Sequence, residues 1–422
     1  IENRSYAEGI GIKLGSSMVF HPGLGIEAGY DSNVYYSDAD LVGAARLRIV
    51  PSIAFATLPP QRLEMTEGGL SGKKPTIEFR FGLAGIYEDW FGKDKSLEYR
   101  RNFGILADLG LVIFPYGKWQ LRLSDEFSRS IRPPNEAMKD DYTIDHNVAA
   151  LGLHFVPGQA LDVGLDARYH MNFYELDVLQ DAGNYHKIDV ELNLKWKFLP
   201  KTAVIFSTVV SPYLRKDTTY GTAPNEFPVN SSVNLESWIG LQGLFTSRFG
   251  VAAQLGYGAA FFDKPSASFP SADFDSILAR AELRFFVTPM SAIRLGFIRD
   301  LRPSFFTNYY VRNEGYLSYE QLIVGRVLLS AKFRVGYWQY SPLYQIDGTR
   351  SDAFGTGNNP RKDIVLTALL FGEYRITDWI AINATFQYTG DFTKAELAST
   401  LTGAIPEAYN KFEILGGVRA MY

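Results

Sequence analysis

The sequence predicts an all-β protein: a transmembrane antiparallel up-and-down β-barrel of about 18 strands, with short periplasmic turns and long extracellular loops. Three observations predict it. Apolar and polar residues alternate strictly over segments about twice as long as a usual soluble strand. The connections between those segments are alternately tight and long, the arrangement of an outer-membrane barrel. Aromatic residues occupy 14% of the 422 positions, with 30 Phe, 25 Tyr and 6 Trp, an excess that needs a location.

Alternation is clearest in Ile188-Asp189-Val190-Glu191-Leu192-Asn193-Leu194-Lys195-Trp196-Lys197-Phe198, where one face must meet something apolar and the other water. It recurs in Thr76 to Phe81, Trp119 to Leu123, Leu161 to Tyr169, Ile380 to Tyr388 and Phe412 to Tyr422. The segments start near residues 18, 43, 76, 98, 119, 143, 160, 185, 202, 232, 249, 274, 291, 314, 330, 363, 379 and 409. Apolar residues spaced three and four apart, as a helix needs, are absent, and so is the repeat of about 20 to 50 residues that marks a propeller or β-helix.

Tight links are Pro115 to Lys118, Pro157 to Gln159, Leu199 to Lys201, Thr246 to Arg248, Thr288 to Met290, the junction near Ser330, and Ile376 to Asp378. The long links are 131–142, 175–184, 214–231, 263–273, 302–313, 341–362 and 389–408, of which 214–231, 341–362 and 389–408 are long enough to constrict a pore. A soluble sandwich has no reason to sort loops by parity. In hydrocarbon a sheet must close on itself to pair its backbone, and a closed barrel of this size leaves an aqueous lumen.

Composition excludes other classes. No run approaches the roughly 20 apolar residues of a spanning helix. With no cysteine, disulfides and thiolate chemistry are excluded, as suits a chain crossing an oxidising compartment. A formal charge of −4 gives no reason to expect nucleic acid as a partner. The opening Ile1-Glu2-Asn3-Arg4 reads as a mature N-terminus whose export signal has been removed. Residues 1–17 are expected to form a periplasmic or luminal tail, and 18–422 the barrel in the outer membrane of a Gram-negative-type bacterium. One link breaks the parity rule: residues 57–75 should be a tight turn but are long, so the segment either docks a periplasmic partner, with Arg62, Glu64, Glu67, Lys73 and Lys74 as candidates, or folds up into the lumen.

Two belts of rings are expected at the two bilayer interfaces. Trp119, Phe155, Trp196, Phe198, Phe245, Phe249, Phe285 and Trp379 lie beside the short turns; Tyr99, Tyr169, Tyr174, Tyr185, Phe261, Tyr309, Tyr310 and Tyr337 lie toward the long loops. The final segment ends Gly417-Val418-Arg419-Ala420-Met421-Tyr422 on an aromatic. It resembles the C-terminal signal by which the barrel-assembly machinery recognises outer-membrane clients, with Gly417 at the usual glycine, Ala420 in place of a bulkier residue, and Tyr422 in place of the commoner Phe. Gly11 to Ser16, His21-Pro22-Gly23-Leu24 and Gly29-Tyr30-Asp31-Ser32-Asn33-Val34-Tyr35 resemble the opening of the β-barrel porin 2 family of outer-membrane proteins, some of which accompany exopolysaccharide secretion systems.

If the apolar parity meets lipid, the other parity lines the lumen. It carries Arg80, Arg100, Arg122, Arg168, Arg280, Arg284, Arg294, Arg326, Arg334 and Arg419 against Asp162, Asp166, Asp189, Glu191, Glu236 and Glu282. Signs so nearly matched suit a lattice of cross-strand pairs or a track for a weakly charged glycan better than a single-sign selectivity ring. Of the five His, His146, His170 and His186 fall near the outer ends of neighbouring segments, with Asp166 on the face of His170, but no nucleophile setting or metal-ligand spacing accompanies them, so no enzyme, metal or cofactor is expected. The expected role is a conduit. The resemblance implies polysaccharide export with a periplasmic partner; the alternatives are a general diffusion porin for small solutes and an occluded barrel that anchors a complex.

Overall fold

Every residue of a strand that crosses a bilayer has one of two environments, and this chain takes that choice eighteen times. The computed structural model describes residues 10–15, 17–38, 41–58, 75–130, 143–158, 160–175, 183–215, 219–222, 225–228, 230–264, 273–304, 307–345, 347–352, 360–399, 403–406 and 408–422. Among these the wall strands are β1 (Met18–Asp31), β2 (Ala44–Thr57), β3 (Ile77–Phe91), β4 (Asn102–Ile113), β5 (Trp119–Ser130), β6 (Ile144–Phe155), β7 (Leu161–Tyr174), β8 (Tyr185–Leu199) and β9 (Thr202–Arg215). They continue as β10 (Ser232–Leu244), β11 (Phe249–Phe262), β12 (Phe274–Thr288), β13 (Ser291–Pro303), β14 (Tyr309–Ile323), β15 (Val327–Tyr340), β16 (Lys362–Arg375), β17 (Ile380–Thr393) and β18 (Tyr409–Met421).

Each strand pairs antiparallel with the next, and β18 closes on β1 from Gly23↔Met421 to Asp31↔Glu413. Closure removes the sheet edges that hydrocarbon could not solvate. Below Gly23, where β18 ends, Ile12–Leu14 pairs with Met18–Phe20 and continues the ladder. Gly29 and Gly417 permit the seam: a Cβ on Gly29 would run into the Ile414 carbonyl, and one on Gly417 into that of Ile26. The molecule is an outer-membrane β-barrel, and its exposed Leu, Ile, Val and Phe side chains form the lipid-facing surface.

Strand starts agree with the alternation to within a residue or two except at three places. The start expected near 98 is a short 3-10 helix, Lys95–Arg100, capped by Asp94, and β4 begins at Asn102. β14 starts at Tyr309 rather than 314, and β15 at Val327 rather than 330. The tight turn expected near Ser330 is Val324-Gly325-Arg326, with Val324 and Gly325 both at positive φ. Leu322 and Leu328 interrupt the alternation on either side of it, which hid the turn.

In the belt beside the short turns Trp119, Trp196, Phe198, Phe245, Phe285 and Trp379 are exposed and Phe155 and Phe249 half-buried, with Trp119 and Phe155 packed 4.7 Å apart. The belt toward the long loops differs from expectation. Tyr169, Phe261 and Tyr337 face outward there, joined by Phe103, Phe173, Tyr257 and Phe392, but Tyr174, Tyr185 and Tyr310 take the luminal parity and Tyr309 is packed inside. The side chain of Tyr99 and the segment 59–74, with Arg62, Glu64, Glu67, Lys73 and Lys74, lie outside the described residues.

Candidate functional site

The lumen is asymmetric. On the seam side, β16 to β18 and β1 to β3, charged side chains are packed out of water. Arg46 on β2 bridges Glu88 on β3 and Glu413 on β18, and Arg48 pairs with Glu27 on β1. Lys411 reaches Asp31 at 2.8 Å and lies 4.1 Å from the Tyr36 ring centre. Further round, Arg361 holds Asp363 at 2.9 Å and Asp391 at 3.7 Å, and Arg419 meets Glu373 at 2.5 Å. Buried charges are tolerated only in such pairs.

The Asp31-Ser32-Asn33-Val34-Tyr35 stretch has a structural role here. Asp31 accepts from the Asn33 backbone N–H at 3.0 Å, and Asn33 holds the Ser37 and Asn410 carbonyls. The chain after β1 is thereby folded back onto β18, with Tyr36 edge-on to Tyr409.

The opposite side is open. A cavity of 690 Å³ lies against β6 to β14, bordered by His146, His170, Lys187, Trp238, Arg280 and Tyr316 among others. The predicted luminal charges Arg168, Asp189, Glu191, Glu236 and Glu282 lie on or beside its wall. Arg168 meets Glu191 at 2.6 Å; Asp189 gathers His170, Lys187 and Ser211 within 3.1 Å; Glu282 takes Arg284 and the Tyr316 hydroxyl. Glu236 accepts from Trp238 Nε1 at 3.0 Å. Arg280 lies over the Trp238 ring at 3.9 Å and, among the described residues, makes no ion pair.

Toward the periplasm the wall turns basic. Lys195, Lys197, Lys201 and Arg284 border a groove of 340 Å³. Arg284 is engaged by Glu282, whereas the three lysines have no ion-pair partner among the described residues. Gly243 and Gly250 border the groove, and a Cβ on Gly243 would strike the Thr202 hydroxyl there.

One outer connection, 302–313 in the sequence reading, is not a free loop. The upper hairpin of β13 and β14 folds inward, so Leu301, Tyr309 and Val311, which sit on the lipid parity, pack instead on the luminal side chains Trp238, Phe274 and Leu278. Arg215 holds its tip by the Ser304 carbonyl at 2.5 Å, and Asn230 meets Asn308 at 2.9 Å. This hairpin narrows the outer lumen. The loops 214–231 and 389–408 instead carry small hairpins of their own, Thr219–Thr222 with Asn225–Pro228 and Glu396–Ser399 with Gly403–Pro406.

The remaining sequence candidates fall in different places. Arg80, Arg122, Asp162, Asp166, Arg294, Arg334 and Arg419 stand on luminal positions of their strands. Two do not. Arg100 is in the 3-10 helix, 4.7 Å from the Tyr35 ring, and Arg326 is in a periplasmic turn. Asp166 does not join His170; it joins His154, which is 3.2 Å from Asp166 and 2.8 Å from Asp162, while His186 meets Tyr169 outside the wall. Gly417 sits at the seam, with Ala420 on lipid parity beyond it. The sequence reading missed His154, Arg46, Arg48, Glu27, Asp300 and Arg312. All but His154 are charged residues in apolar alternation or in the inward hairpin, and strand parity alone could have found the first group.

No family model matches this sequence, and no curated protein sequence does either. The β-barrel porin 2 resemblance therefore has no support beyond its own residues. Similar solved structures include the outer membrane protein opdK from Pseudomonas aeruginosa, 9% identical with a TM-score of 0.47 over 96% of this chain and 99% of that one. Acinetobacter baumannii OccAB4 is 10% identical, with a TM-score of 0.48 over 96% and 98%. Pseudomonas aeruginosa OccK2 (OpdF), solved in complex with glucuronate, is 9% identical with a TM-score of 0.50 over 95% and 97%. At such identity the likeness is one of fold.

Proposed function

We propose that this barrel is a passive channel for small hydrophilic solutes, favouring anions. The observation that carries the reading is the open 690 Å³ cavity on one side of the lumen, the size of a site for a single small molecule. The uncommitted lysines at the periplasmic groove supply the anion preference, because a mouth lined by one sign of charge concentrates counter-ions. A barrel of the same fold has been solved with glucuronate, and a sugar acid of that kind is the first solute to try.

Polysaccharide export is the weaker reading. It rests on about 30 residues of resemblance, and the inward hairpin packs into the outer lumen that a polymer would have to cross. Engagement of Phe412 to Tyr422 by the barrel-assembly machinery belongs to the same proposal, as does docking of a periplasmic partner. Planar-bilayer recording across a potassium chloride gradient tests the function. Steady openings with a reversal potential on the chloride side, and a current reduced by glucuronate, support it. Absence of openings points to an occluded anchor, and block by a polymer but not by glucuronate points to export.

A further inference from the structure

The wall is not continuous everywhere. Backbone pairing between β12 and β13 runs up to Ala279↔Arg299 and stops there, although β12 continues for five more residues, Phe274 to Leu278, still paired to β11 on its other side. β13 leaves the wall at this point to form the inward hairpin. The gap lies at the extracellular end of β12, level with Tyr257, hence in the outer leaflet.

An unpaired strand edge at membrane depth is costly unless something satisfies it. Arg299 does so. Its guanidinium donates to the Ile277 carbonyl at 3.0 Å, to the Ser276 hydroxyl at 3.1 Å and to Asn313 at 2.7 Å. Arg299 itself sits on the lipid parity, whereas Ser276 sits on the luminal parity. A side chain joins the two faces of a sheet in this way only where the ladder is open.

Behind the gap the buried Phe274, Leu278 and Val311 carry an apolar shelf, Trp238, Phe262, Leu301 and Tyr309, that borders the open cavity. Arg280, stacked on Trp238 and without an ion-pair partner among the described residues, turns a cation toward the same space. Apolar shelf and cation side by side suit a ligand with both characters. We propose that the cavity has a second, lateral mouth between β12 and β13, latched by Arg299, through which a single-chain anionic amphiphile exchanges with the outer leaflet. Its chain would lie on the shelf and its head at Arg280. This path is separate from the axial one, so it stands or falls independently of the channel's conductance.

Trp238 reports on it directly. In vesicles, a chain whose only tryptophan is Trp238, the other five replaced by Phe, should be quenched saturably by 12-bromododecanoate. A chain keeping only Trp338, which is buried on luminal parity where the ladder is intact, should not be. Short 3-bromopropionate, with the same head and no chain, can reach Trp238 only by the axial path, so its quenching should be unchanged by variants at the gap. In the Trp238-only chain, Arg299→Ala should speed quenching by the long acid several-fold, and Ile277→Phe, which adds bulk on the lipid side of the gap without adding a second tryptophan, should slow it. Equal quenching of Trp338 by the long acid, rates for it indifferent to both variants, or no quenching by it at all would each overturn the proposal. The Ile277→Phe arm keeps the test decisive if Arg299→Ala does not fold.

Discussion

Replacing Arg46 by Met should be among the most damaging single changes in the wall. Arg46 is 3% exposed, and its two partners come from strands on either side of the closure, Glu88 from β3 and Glu413 from β18. The side chains of all three are almost out of water, so no large discount for solvent screening applies. Met restores the volume and the apolar stem but removes the cation that bridges the two carboxylates. Orphaning a buried partner costs about 3–5 kcal/mol. That is roughly a hundred- to several-thousand-fold in the unfolding equilibrium. Urea titration of the barrel in phospholipid vesicles, followed by tryptophan emission, reads the loss as a lower midpoint at unchanged slope. The chemistry makes a second demand: adding Glu88→Gln and Glu413→Gln to Arg46→Met should recover most of the loss, because the penalty belongs to the unpaired charges and contacting residues do not add independently. A single-variant loss below about 1 kcal/mol, or a triple variant no better than the single, would refute the view that these charges are held desolvated by one another.

Four further outcomes follow from the same geometry. Gly417→Ala sets a Cβ against the Ile26 carbonyl at the seam, so the folded fraction recovered after refolding into vesicles should drop sharply, while Gly416→Ala, whose Cβ would be 3.8 Å from its nearest neighbour, should be tolerated. The triple change Lys195→Gln, Lys197→Gln, Lys201→Gln should move the reversal potential toward that of a non-selective pore without lowering stability, since none of the three is in an ion pair among the described residues; an unmoved potential would remove the lysines from the selectivity argument. Tyr309→Ala removes the ring packed on Phe262 and Phe274 at 5.8 and 5.1 Å and should loosen the inward hairpin, giving larger and noisier single-channel currents; currents identical to the parent would show that the hairpin does not limit flow. A protease site placed within residues 59–74 should be cut in lysed cells and spared in intact ones, and cutting from outside would invert the assigned topology.

The wall was legible because a strand between lipid and water offers only two environments, and a period of two records them. That is why Ile188 to Phe198 could be placed face by face from the sequence, and why Arg168, Asp189 and Glu191 are found on one luminal surface. Pairing was not legible. Arg46 and Glu413 are 367 residues apart and meet across the intervening β1, and nothing local in either segment names the other. His154 is hidden for a related reason: its two carboxylate partners, Asp162 and Asp166, are on the next strand, and nothing in its own segment points to them.

The inward hairpin shows where the binary rule fails and why. Around Arg299-Asp300-Leu301-Arg302-Pro303 neither parity is apolar, so the chain read as loop from Arg302 onward. One face of this stretch packs on the apolar side chains of β10 to β12, and the other, with the ion pairs of Asp300 to Arg302 and Arg312, lines the cavity. A strand between protein and a watery cavity has no lipid side to enforce alternation, so loss of the pattern there marks departure from the wall rather than loss of strand structure. The same departure opens the ladder beside Leu278, and the residue that breaks the pattern first, Arg299, is the one that spans the opening. The irregular stretch, the narrowed lumen and the gap in the wall are therefore one structural event, and a change that returned this hairpin to the wall would have to widen the lumen and close the gap together.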